Sequence, residues 1–297
     1  MTDERIWSFI EAARALAQGD ASLDRFLVAA IKATDPDDLA RQTPETFLAG
    51  LKRSHAAAIF GPLQETRIQM TPPTAPGELL AMDVISPDMP FIVDSTLAAL
   101  RAMGGTIRLF AHPVVHVNQA QVVETGGAAI SVLHILSEPV ADLAALKEEI
   151  RATLTDVSRA VVDWRAMLDR VRQAMTGLNG VKPALRDEPA RFLEWLTEHN
   201  FTFLGVQEYR LEGAELVPMV GTGLGLWRDE SLKVLRNGQV YVDSTPELVA
   251  FLQTAEPLLV TKANVRSRVH RRQHMDYVGV KIYGADGAVR GELRIVG

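Results

Sequence analysis

The 297-residue chain contains no cysteine. Disulfides, thiolate catalysis and cysteine-based zinc sites are therefore excluded, and the composition fits a reducing compartment such as the cytoplasm. There is no excess of positive charge either. The net charge of −6 argues against bulk binding to nucleic acid. Long apolar runs are missing, and no segment approaches the ~20 apolar residues that would span a membrane. The first residues, Met1-Thr2-Asp3-Glu4-Arg5, are acidic with no apolar stretch behind them, unlike a signal peptide. No Ser-His-Asp set, HExxH or P-loop can be assembled, which disfavours an enzyme acting alone.

What remains is an ordinary globular composition, 47% apolar, long enough for about two domains of ~150 residues each. Residues 3–60 read as helices. Asp35-Pro36 and Thr43-Pro44 are helix starts, each with a capping oxygen followed by a proline that needs no N–H. These helices need something to pack on, and covering the neighbouring domain is the expected role. The alternative is an oligomer contact.

The stretch 77–137 organises the first half. Residues 78–85 read as a buried strand. Ser86-Pro87-Asp88-Met89-Pro90 reads as a turn into a helix beginning near Met89, with Asp88 as the cap and Pro90 in the first turn. Ile92, Val93, Thr96, Leu97, Ala99, Leu100 and Met103 give that helix one apolar stripe, and Gly104-Gly105 ends it. Strands follow over 106–117 and 128–137, then a helix over 142–154. A short strand at 66–70 can join the sheet edge. The order β-α-β-β-α predicts an α+β sandwich with two helices on one sheet face.

The helical pattern continues over 156–178, with Val157, Val161, Trp164, Leu168, Val171 and Met175 as an apolar stripe expected to be buried. This reads as a connector helix, followed by a hinge over 176–183. The second half reads as a helix (188–199), a strand (201–211), a glycine-containing loop, a short strand (239–242), a short helix (246–253) and three strands (258–262, 276–283, 289–296). The last two are joined by a turn of Asp-Gly type at Asp286-Gly287. The pattern runs to the final residues, and the expectation is a piece of a longer polypeptide.

Three features invite chemistry. Gly221-Thr222-Gly223-Leu224-Gly225 suggests a nucleotide loop, but its G-x-G-x-G spacing is not the dinucleotide fingerprint and Pro218 breaks the preceding strand. His112, His116 and His134 could in principle hold zinc, but no carboxylate sits at ligand spacing. They read as sheet residues, with no metal expected. Arg266, Arg268, His270, Arg272 and His274 fall at alternate positions and would share one face of a strand. Residues 255–297 carry eight Lys and Arg against four Asp and Glu, whereas 64–140 carry three against seven. The basic run reads either as an anion or partner contact or as a charged edge strand that resists aggregation.

Several stretches share a further property. Asp88-Met89-Pro90-Phe91-Ile92-Val93-Asp94-Ser95 followed by Leu109-Phe110-Ala111-His112-Pro113-Val114 resembles the N-terminal region of the large bacterial NAD-specific glutamate dehydrogenases. So do Val161-Val162-Asp163-Trp164-Arg165-Ala166-Met167, Phe192-Leu193-Glu194-Trp195-Leu196 with Phe201-Thr202-Phe203-Leu204-Gly205, and Val269-His270-Arg271 with Asp276-Tyr277-Val278-Gly279-Val280. The resemblance covers roughly 60–297. Residues 1–62 read as an N-terminal helical segment and 156–186 as the connector and hinge, and the resemblance implies an ACT-like domain (63–155) and a PAS-like domain with a mainly antiparallel sheet (187–297). It also implies a catalytic domain downstream and NAD in the parent enzyme, with no cofactor and no dehydrogenase activity in this part. Implied partners are an amino-acid effector, the chain's own catalytic domain and other subunits. An ACT ligand site maps onto Asp88, Met89, Pro90 and Phe91, with Asp94 and Ser95 behind. Two departures stand out: no closing strand follows Leu154, and Gly126-Gly127-Ala128-Ala129-Ile130-Ser131 replaces a Trp-containing charged segment. The alternatives are a purely structural oligomerisation arm and a free-standing nucleotide-binding sensor.

Overall fold

The computed structural model describes residues 3–60, 66–213 and 215–297. The chain divides into two compact units, Met1–Leu154 and Thr155–Gly297.

In the first unit, helices α1 (Asp3–Ala17), α2 (Ala21–Lys32), α3 (Pro36–Leu39) and α4 (Pro44–Ile59) come first. Their starts are set by local chemistry. The Asp20 carboxylate accepts from the backbone N–H groups of Ser22 and Leu23, Asp35 from that of Asp37, and Thr43 from that of Thr46. The sheet is built from β1 (Arg67–Thr71), β2 (Leu80–Pro87), β3 (Ile107–Ala111), β4 (Val114–Asn118), β5 (Gln121–Val123) and β6 (Ala128–Ser137). All its pairings are antiparallel, in the order β1-β2-β6-β4-β5, and β3 also pairs with β6. The short strand anticipated at 66–70 is β1, on the edge beside β2, where a closing strand would be needed.

Both faces of this sheet are covered. Leu80, Met82, Val84, Leu133 and Ile135 pack against Ile92, Leu97 and Leu100 of α5 (Ile92–Ala102) and Leu146, Ile150 and Leu154 of α6 (Leu143–Gly177). Ile85, Ile130 and Val132 face the other way, into Phe9, Phe26, Leu27, Phe47 and Leu51 of the N-terminal helices. The helices therefore cover the domain, as expected. Double coverage also explains why β2 reads as a continuous apolar run rather than an alternating one. One expected strand is two: 106–117 breaks after Ala111, because Pro113 supplies no N–H to a ladder.

The second unit has α7 (Pro183–Trp195), β7 (Gly205–Glu212), β8 (Glu215–Pro218), β9 (Leu224–Gly225), β10 (Leu235–Asn237), β11 (Val240–Val242), α8 (Pro246–Leu252), β12 (Leu258–Arg266), β13 (His274–Tyr283) and β14 (Val289–Val296). Its main sheet is antiparallel in the order β12-β13-β14-β7-β8, with β9 on β7. Val206, Val278, Val280, Leu293 and Ile295 form one face, packed against Met167, Leu168 and Val171 of α6 and Leu193 and Leu196. The whole protein is of the α+β class.

The connector is one helix, continuous with the preceding 142–154 segment. Its buried side differs from the expected stripe. Val157, Asp163, Met167 and Val171 are buried, whereas Trp164 is 42% exposed and its ring carries the Arg165 guanidinium 5.4 Å from its centroid. Trp164 lies at the edge of the stripe, and periodicity could not tell an edge from a centre.

Candidate ligand site in the first unit

Strand β2 ends at Pro87, and the chain turns through 88–91 before α5 starts at Ile92. The helix therefore begins later than the sequence suggested, and Asp88 does not cap it. The residue before the helix is Phe91, whose φ of 71° is left-handed and whose side chain makes no capping hydrogen bond. That reversal joins strand to helix and leaves Asp88 and Pro90 outside the first turn. The Asp88 amide instead donates to the Ala129 carbonyl at 3.0 Å, which ties the turn to the start of β6.

The turn gathers the expected residues unequally. Asp88, Pro90 and Asp94 are exposed, and Met89 and Phe91 are half-buried. Ser95 is fully buried and faces inward. The first-turn amides of α5 and its dipole favour a carboxylate, and the two exposed aspartates favour an ammonium.

Four polar residues lie near this turn, and the sequence does not point to them as one group: His112 reads there as a sheet residue or zinc candidate, Ser86 as part of the turn. Ser86 and Ser131 are direct cross-strand partners, both buried on the sheet face that α5 covers. The Ser131 hydroxyl pairs with His112 Nε2 at 2.7 Å. Ser86 Oγ and Thr96 Oγ1 of α5 are buried and have no hydrogen-bond partner among the described residues. An orphaned buried hydroxyl costs about 1–3 kcal/mol, and two of them lie behind this turn. The available signal was parity: Ser86 and Ser131 interrupt apolar positions of the same face.

His112 does not join His116 and His134. His112 bonds Ser131, whereas His134 lies on the opposite sheet face, its Nδ1 2.8 Å from Asp83 Oδ1, with Ser54 donating to the same carboxylate oxygen. Gly50 gives the imidazole room, since a Cβ there would stand 3.1 Å from it. Among the described residues no cluster could hold a metal ion.

Burial lowers the pKa of His112 and of His55, and the nearby Asp88 and Asp20 respectively pull each part of the way back. Both groups then favour the fold while neutral. That stability is present above the ordinary value of 6.5 and is lost as pH falls from there through the folded values. NMR titration of the ring protons is expected to give midpoints below 6.5 for both. A midpoint above it for either would contradict the burial argument.

In the second unit, the basic run does not form a strand face. Arg266 ends β12 and His274 begins β13, so the residues between them form the connection. Within it His270 has a φ of 61°, and Arg268 pairs with Asp156 of α6 at 3.6 Å. Alternation in sequence misled here because the chain turns within the run. The glycine loop is also held by structure. The Gly225 amide donates to Asp163 at 2.8 Å, and Arg228 donates to both oxygens of that carboxylate at 2.5 and 2.7 Å. The arginine and the amide hold the Asp163 pKa down against burial. A short 3₁₀ turn, Leu226–Arg228, follows the loop, so the strand-loop-helix context of a pyrophosphate site is missing there.

The far face of the second sheet buries charge. Arg294 Nε donates to Glu292 at 2.9 Å, Tyr277 donates to the same carboxylate at 2.6 Å, and the guanidinium lies 3.4 Å from the Tyr209 ring centroid. Burial raises the Glu292 pKa, opposed by Arg294 and Tyr277, and pushes Tyr209 up to about 12. Burial works against the Arg294 charge, but Tyr277, Glu292 and Tyr209 outweigh it. Gly279 makes the slot: a Cβ there would stand 2.1 Å from Glu292 Oε1.

The first unit thus has the architecture of an ACT-type α/β domain. Its residues 26–154 match the family "Glutamate dehydrogenase, ACT1 domain", and much of the chain is similar to NAD-specific glutamate dehydrogenases. It is 30% identical over 241 residues to the NAD-specific glutamate dehydrogenase of Pseudomonas aeruginosa, covering 73% of this chain. It is also 30% identical over 246 residues to that of Halomonas elongata, covering 72%. The chain spans about 15% of the length of each of these relatives. Among solved structures, one titled as an RNA-binding light-oxygen-voltage receptor aligns with 90% of this chain and 84% of its own, at 11% identity and a TM-score of 0.20, which is too low to carry an argument. No helix among the described residues is long and apolar enough to cross a membrane.

Proposed function

We propose that this chain is a non-catalytic regulatory module of a large NAD-dependent glutamate dehydrogenase, a cytoplasmic enzyme that oxidatively deaminates L-glutamate to 2-oxoglutarate. In this reading the first unit senses a free amino acid at the β2–α5 turn and passes the signal to a catalytic domain and neighbouring subunits elsewhere in the assembly. NAD belongs to the catalytic part, not to this one. The observation that carries the reading is the pair of orphaned hydroxyls, Ser86 and Thr96, buried behind a turn whose exposed residues are Asp88 and Asp94. The α5 amides would take the carboxylate, Asp88 the ammonium, and the hydroxyls would gain partners as the turn closes on the ligand.

A thermal-shift screen tests it. A ligand that binds only the folded state stabilises it by about 2.7 kcal/mol at 100 times its Kd, so at least one amino acid is expected to raise the melting temperature. If none does at millimolar concentration, the chain is better read as a structural arm.

A further inference from the structure

The second unit carries a pocket of about 380 Å³, within the range of small-ligand sites. Its polar groups are arranged in an unusual way. Trp227 lines it and is 3% exposed, and its indole Nε1–H is buried with no acceptor. Gln207 lines it too. Its Nε2 donates to the Met219 carbonyl at 2.9 Å and to Thr222 Oγ1 at 3.0 Å, which fixes the orientation of the amide. Its Oε1 is thereby turned toward Gly223, another lining residue, where an added Cβ would stand 2.5 Å from it. That oxygen accepts from no protein donor among the described residues. Two of the lining residues therefore carry, among the described residues, one unanswered donor and one unanswered acceptor.

The mouth carries both signs of charge. Arg228 is held by Asp163 at 2.5 Å, and Asp243 by Lys233 at 2.8 Å. Glu230 is exposed and lines the pocket, with no counter-ion among the described residues. Met219 and Val220 add an apolar wall. A simple anion would meet Glu230 and Asp243 unfavourably. A simple cation would leave the indole N–H without an acceptor. A zwitterion answers both.

We propose that this pocket binds a free α-amino acid with an apolar side chain. Its carboxylate accepts from Trp227 Nε1–H, its ammonium donates to Gln207 Oε1 and Glu230, and its side chain lies against Met219 and Val220. This site lies in the other unit from the β2–α5 turn, and the two stand independently.

The test uses the indole N–H signals of the whole chain, one from each of its four tryptophans. Trp7, Trp164 and Trp195 are 55%, 42% and 49% exposed, so Trp227 is the buried reporter. Its signal is assigned by its loss in Trp227→Phe. Titration with leucine, methionine, valine and phenylalanine to about 10 mM, enough to fill a site of millimolar Kd, is expected to move the Trp227 signal downfield and saturably with at least one of them. Calorimetry should then show binding weakened about tenfold by Trp227→Phe, as loss of a charge-assisted hydrogen bond predicts. Glu230→Gln, on an exposed position, should weaken it several-fold while leaving the melting temperature unchanged. Asp88→Asn should leave the Trp227 titration as in the wild type, which separates this site from the one in the first unit. If Trp227→Phe fails to fold, the wild-type titration and Glu230→Gln decide the matter. The proposal is overturned if no amino acid moves the Trp227 signal, or if nicotinamide or uracil moves it and amino acids do not.

Discussion

Replacing Arg294 with methionine is expected to lower the unfolding free energy by about 3–5 kcal/mol, the usual cost of stranding one member of a buried ion pair. The size follows from the surroundings of Glu292. It is 0% exposed, and its charge is matched by Arg294, itself 1% exposed. Without the guanidinium, the carboxylate keeps only the Tyr277 hydroxyl, and Tyr209 loses the cation on its ring. The loss depends on pH in a definite sense. Burial already raises the Glu292 pKa above 4.5 in the fold, and removing Arg294 removes the first-named force that lowers it. The native state then binds a proton more tightly than the unfolded chain does, so stability falls as pH rises through the folded value. The deficit should grow as pH rises above 4.5 and shrink toward it. Urea titrations of wild type, Arg294→Met and Arg294→Met/Glu292→Gln across pH measure this. The double variant should recover much of the loss, because a neutral pair leaves no buried charge uncompensated. A single variant within about 1 kcal/mol of wild type at pH 7 would mean that Glu292 is neutral in the wild-type fold.

The second large effect is expected in the first unit. Asp83→Ala removes the acceptor shared by Ser54 and His134, all three of them buried between α4 and the sheet. His134 then loses its carboxylate partner, whereas the Ser54 hydroxyl keeps the Gly50 carbonyl at 3.4 Å and lies 3.3 Å from His134 Nδ1, so a loss of about 2 kcal/mol is expected, in the range of about 1–3 kcal/mol for one unpaired buried polar group. Ser54→Ala should cost less, about 1 kcal/mol, because Asp83 keeps its bond to His134. Denaturant titration of both variants checks this order. Equal costs would show that the hydroxyl, and not the carboxylate, organises the cluster.

Much of the fold is legible because its signals are local. Thr43-Pro44 announces a helix through a side-chain oxygen and a missing N–H, and β6 runs over the expected 128–137 because its apolar residues are bounded by Gly126-Gly127 on one side and Pro139 on the other. The failures share a cause, which is that tertiary context assigns the role. Phe91 takes a left-handed backbone although nothing in its side chain favours one, and this displaces the start of α5 from Asp88. Arg266 to His274 alternates in charge like a strand, but the chain reverses within it. Glu292 and Arg294, a charged pair two residues apart on a strand, are buried against Tyr277 and Tyr209, which no local signal announces. The candidate site was half legible. Its exposed aspartates sit in a recognisable motif, whereas Ser86, Thr96, His112 and Ser131 meet only when β2, β3, β6 and α5 are assembled.

The most direct test of the proposed role is a calorimetric titration of the wild type and Asp88→Asn with free amino acids. Asp88 is exposed and does not cap α5, so the substitution should leave the melting temperature unchanged and act on the ligand alone. The expected result is binding of at least one amino acid to the wild type, weakened about tenfold or more in Asp88→Asn by loss of the charge-assisted bond to the ammonium. Binding of equal strength to both proteins, or none to either at millimolar concentration, would contradict an amino-acid site at the β2–α5 turn.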